Sequence, residues 1–136
     1  MTFRRPQQNK GKTLSLNLEP AKIEDWRRRN PAFSLQYTVP GYCVADCNQE
    51  QKVAFANTLL QLGKRTWIEI IQSDKHGSGS EKIPRKQMKL GIPPTVSEDQ
   101  AFFTVVRFFG KCPMIGYVNN GIYYILWLDR NHDSYI

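Results

Sequence analysis

The sequence predicts an α+β domain: strand-helix-helix followed by a three-stranded antiparallel meander, with both helices packed on one face of the sheet. Three observations carry that expectation. The last third of the chain reads AFFTVVRFF, CPMIGYV and GIYYILWLD, β-branched and aromatic runs separated by Gly110-Lys111 and Asn119-Asn120-Gly121. The middle holds two apolar-periodic segments with capping signals at their starts. Ahead of them FSLQYTV, Phe33 to Val39, alternates apolar and polar residues until Pro40-Gly41 closes it.

In chain order, residues 1–33 read as a basic N-terminal arm in which Glu19-Pro20-Ala21 opens a short helix through Trp26 and Arg27. Residues 34–136 form the folded domain. Its first helix takes Asp46 or Asn48 as cap, sets Val53, Phe55, Ala56, Leu59, Leu60 and Leu62 at helical spacing, and stops at Gly63. Thr66-Trp67-Ile68-Glu69 has the spacing of a capping box and starts the second helix, with Ile68, Ile70 and Ile71 on its apolar side. Residues 74–95, DKHGSGSEKIPRKQMKLGIPPT, read as a long loop loaded with Lys75, His76, Lys82, Arg85, Lys86 and Lys89.

The meander completes the chain. Asn120-Gly121 supplies both positive-φ positions of a type I′ hairpin, and Gly110 serves the first turn. Two-residue turns set Arg107 opposite Met114 and Met114 opposite Trp127. One face then carries Thr104, Val106, Phe108, Ile115, Tyr117, Tyr124, Leu126 and Leu128, is nearly all apolar, and calls for a helical cover. The other, with Phe103, Val105, Arg107, Met114, Gly116, Tyr123, Ile125, Trp127 and Asp129, is the expected working surface.

Nineteen Lys and Arg against twelve Asp and Glu give a net charge of +7 in 136 residues, which favours a polyanionic partner. The charge is segregated, with eight basic and three acidic groups in residues 1–33 and seven and three in residues 64–91. That segregation points to nucleic acid. No apolar run follows the basic start and none reaches the length of a membrane span, so neither a secretory leader nor a membrane partner is expected. Cys43, Cys47 and Cys112, an odd number, fit free thiols in a reducing cytoplasm. Cys43-x-x-x-Cys47 with His76 and His132 lacks the paired spacing of a zinc site, and no metal or other cofactor is expected.

The element order, together with a strand ending near Gly110, the run MIGYV, the hydrophobic last strand, and His132 followed three positions later by Tyr135, resembles the RelE/ParE superfamily of bacterial toxins. The resemblance spans roughly residues 34–136. It implies a toxin-antitoxin protein that acts on messenger RNA at the ribosome and is silenced by a cognate antitoxin. It also implies a site formed by a histidine or arginine, a terminal tyrosine, and basic residues from the segment before the meander. Many members carry an arginine where this chain has Cys112-Pro113-Met114.

Metal-independent RNA cleavage by the 2′-hydroxyl needs a proton acceptor, a proton donor and cations for the transition state. His132 and Tyr135 are the candidate proton-transfer pair, with Arg107 and Lys111 as catalytic cations. Lys82, Arg85, Lys86, Lys89 and Arg130 are the candidate RNA-binding cations, and Tyr123 and Trp127 the candidate stacking platforms. The expected function is thus a toxin-like endoribonuclease or RNA-directed translation inhibitor. The alternative is a non-catalytic nucleic-acid-binding module.

Overall fold

The computed structural model describes residues 25–73 and 79–132. Its centre is a five-stranded mixed sheet in the order β1-β5-β4-β3-β2. The strands are β1 (Ala32–Ser34), β2 (Glu81–Pro84), β3 (Phe102–Phe109), β4 (Cys112–Asn119) and β5 (Ile122–Leu128), and the helices are α1 (Gln49–Gly63) and α2 (Trp67–Gln72). The class is therefore α+β. The meander β3-β4-β5 is its antiparallel centre, extended by β1 parallel to β5 and by β2 antiparallel to β3. The segment read as a loop contains β2, because Lys82 and Ile83 find partners in Thr104 and Phe103.

Local chemistry sets the helix boundaries. At α1 the Asn48 side chain accepts from Gln51 N at 2.9 Å, while Gln51 Oε1 accepts from Asn48 N at 2.8 Å. Thr66 and Glu69 close the same reciprocal box at α2, with Glu69 Oε1 accepting from Thr66 N at 2.8 Å. Each box satisfies amide groups that the first turn leaves without partners. Trp26–Arg28, overlapping the end of the expected N-terminal helix, forms a single 3-10 turn capped by Asp25. The earlier part of that helix lies outside the described residues.

The register of the meander differs from the expected one. Arg107 pairs with Pro113, and Met114 pairs with Val106 on one side and Leu128 on the other. Both turns have two residues, as expected, but the ladder slips between Arg107 and Phe109 and again at Gly116. The first slip has a physical reason. Pro113 has no N–H to give the ladder, and such residues are accommodated at bulges. At the second, the β5 backbone comes so close that a Cβ on Gly116 would stand 1.9 Å from the Tyr124 carbonyl oxygen. Only glycine fits beneath it.

Each slip turns the following side chains over. Val106, Phe108, Met114, Tyr123, Ile125 and Leu128 consequently pack against Phe55, Leu62, Trp67 and Ile70 of the helices. Phe103, Val105, Ile115, Leu126 and Trp127 form a second core on the opposite face, roofed by Tyr37, Val39, Tyr42, Met88, Leu90 and Ile92. The open face expected on the meander is thus buried. Its roof comes from the segments 37–42 and 88–92.

Candidate nucleic-acid interface

The strand directions sort the candidate residues between two ends of the sheet. At the end where β5 finishes and β3 turns into β4 lie Arg107, Lys111, Arg130 and His132. At the other, the tip, lie the Asn119-Asn120-Gly121 hairpin, the start of β1 and the exit of β2 into Arg85–Gln87. Arg85 N donates to Ala101 O at 2.8 Å, so Arg85 sits level with the residue before β3. Arg107 lies six residues further along, about 20 Å at the rise of an extended strand.

At the first end, Arg107 is half-buried and flanks Pro113 on one side, while Asp129 N donates to Pro113 O at 2.9 Å from the other. Asp129 is fully buried. His132 is exposed, donates its backbone N–H to Asp129 O at 3.2 Å, and has a left-handed φ of 56°. Lys111 is exposed in the turn. These three candidate catalytic residues therefore share one end. Tyr135 and His76 lie outside the described residues.

Arg130 has a structural task. Its guanidinium donates to Asp46 O at 2.7 Å and to Gly41 O at 2.9 Å, tying the segment before α1 to the end of the sheet. The thiols of Cys47 and Cys112 lie nearby. Burial pushes Cys47 above its ordinary value against the opposing effect of Arg130, and burial with the Asp129 charge does the same to Cys112. Both thus stay protonated near neutrality. Among the described residues no three His, Cys, Asp or Glu side chains are grouped to hold a metal ion. No described helix is long and apolar enough to cross a membrane.

The RNA-binding candidates divide. Lys82, Lys86 and Lys89 are exposed along the β2 edge and the segment after it, and their ammonium groups make no hydrogen bond or ion pair with a described residue. Arg85 instead donates to Ser97 O at 2.8 Å and Gln100 O at 3.0 Å, pinning the 97–100 turn. Tyr123 and Trp127 are corrected as stacking platforms, since both are 0% exposed. The Tyr123 hydroxyl donates to Thr104 O at 2.9 Å, with Met114 O at 3.2 Å also in reach, and burial pushes its pKa far up. Trp127 meets Phe103 edge-to-face.

Residues that the sequence reading placed elsewhere stand on the tip side. Tyr124 and Tyr117 are cross-strand partners stacked at a centroid distance of 5.0 Å, and Tyr37 stacks on Tyr124 at 5.9 Å. Arg29 reaches the tip itself, donating to Asn120 O at 2.9 Å. A signal for the tyrosines existed: Pro113 has no N–H for the ladder, and the slip beside it, between Arg107 and Phe109, turns Tyr117 and its partner Tyr124 off the face assigned by strict alternation. No family model, curated protein or solved structure matches the chain.

Proposed function

We propose that the chain is a nucleic-acid-binding module directed at single-stranded RNA, engaging the phosphate backbone along the β2 edge and the tip of the sheet. The observation that carries this reading is the row of Lys82, Lys86 and Lys89, exposed and without partners among the described residues. A cation already bound to a carboxylate has little field left for phosphate. These three keep theirs, in a chain of net charge +7. Phosphate contacts of this kind set affinity rather than sequence preference.

The test is the affinity of the full chain for single-stranded RNA across a range of salt. Replacing Lys82, Lys86 and Lys89 with Gln should weaken binding and flatten the dependence of log K on log salt by about two, at roughly 0.7 per lost phosphate contact. An unchanged slope would remove these residues from the interface.

A second reading, the toxin-like endoribonuclease held by an antitoxin, draws on His132. Left-handed backbone at a residue other than glycine is a form of strain that concentrates at functional sites, and Arg107 and Lys111 share its end of the sheet. In that reading His132 takes the 2′-hydroxyl proton as the oxygen attacks phosphorus. Arg107 and Lys111 hold the charge, and the departing 5′-oxygen is protonated by Tyr135. Cleavage lost in His132→Ala with RNA affinity retained would support the enzyme. A wild-type chain that binds RNA without cutting it leaves the binding module alone.

A further inference from the structure

We propose that Tyr37, Tyr124 and Tyr117 form a stacking platform for the unpaired bases of single-stranded RNA. This rests on the RNA-binding reading and deepens it by adding contacts to bases. The three rings lie in one row, with interplanar angles of 26° and 16°. The remaining ring pairs among the described residues are edge-to-face or tilted, at 58° to 88°. Parallel rings present flat faces in series, the geometry that another planar ring extends.

Exposure and hydrogen bonding set the trio apart from the core. All three are half-buried, and their hydroxyls bond to no described residue, whereas the buried Tyr123 hydroxyl is held by backbone carbonyls. A half-buried tyrosine with a free hydroxyl has an apolar ring to cover and a polar edge that tolerates water.

The surroundings suit RNA. The Tyr117–Tyr124 pair lies two ladder positions from the Asn119–Ile122 pair at the tip, about 7 Å at strand rise. Arg29 is fixed to that tip through Asn120. Lys89 is exposed between Met88 and Leu90, which pack on the same cluster as Tyr37 and Tyr117. Aromatic faces for bases beside cations for phosphates are the chemistry by which single strands are held without sequence preference.

The experiment compares the full chain's affinity, by fluorescence anisotropy, for an oligouridylate and for an abasic ribose-phosphate strand of equal length. The base-bearing strand should bind more tightly. Tyr37→Ser should lower that affinity about 5- to 150-fold, the range that corresponds to one lost stacking contact. Tyr37→Phe should stay near wild type, and the abasic strand should bind wild type and Tyr37→Ser alike. Equal binding of both strands by wild type overturns the platform and leaves the cationic interface standing, an outcome independent of whether Tyr37→Ser folds. Binding of neither strand overturns both.

Discussion

Gly116 shows how one residue can fix how closely two strands approach. The Tyr124 carbonyl passes so close that an added methyl group must displace β5. Gly116→Ala is therefore expected to cost about 3–5 kcal/mol or to prevent folding, read as a fall in the urea midpoint. A loss below about 1 kcal/mol would mean that the slip at Gly116 relaxes freely. Tyr123→Phe makes a contrasting case. Removing a buried hydroxyl that donates to Thr104 O should cost about 1 kcal/mol of stability and leave RNA affinity unchanged, checked by denaturation and anisotropy on one preparation. A large drop in affinity with stability intact would contradict its burial. At this scale the chemistry type was legible and the residues were not. Aromatic density in the last third announced stacking, but counting by twos through Pro113 put Tyr123 on the wrong face and nothing announced the roof over Trp127, while the half-exposed rings belong to Tyr117 and Tyr124.

Among the elements, those governed by local rules were readable. The Asn48 cap, the Thr66-to-Glu69 box and the Asn120-Gly121 turn all form where near-neighbour chemistry puts them. Asn48→Ala should accordingly cost about 1 kcal/mol in thermal or urea unfolding, with RNA binding undisturbed because Asn48 stands at the opposite end of the sheet from the tip, just after Asp46, whose carbonyl Arg130 binds. No loss of stability would show that the reciprocal box contributes nothing to α1. The parallel pairing of β1 with β5 was not readable, since it joins segments about ninety residues apart and rests on only three partnered positions. Nor was β2, whose Pro84 and flanking glycines read as loop until β3 supplies partners. The closed second face has the same origin. Its roof comes from irregular segments, Tyr37 to Tyr42 and Met88 to Ile92, which carry no periodicity to announce that they cover a sheet.

For the whole molecule, titratable groups that folding removes from water give a pH signature. Cys47, Cys112 and Tyr123 all have pKa values raised in the fold, chiefly by burial, so each favours the folded state while protonated and withdraws that support as it ionises. Stability should hold through neutrality and decline as pH rises through the ordinary thiol value of 9.0. Thermal unfolding of Cys47→Ala and Cys112→Ala should show a shallower decline than wild type, and an identical decline would assign it to other groups. A backbone-amide NMR titration of the chain with single-stranded RNA would read the interface residue by residue. Shifts should concentrate at Arg29, Tyr37, Tyr117, Asn120, Tyr124 and the segment from Lys82 to Lys89. Shifts confined to Arg107, Lys111 and His132, or none at all, would contradict this interface.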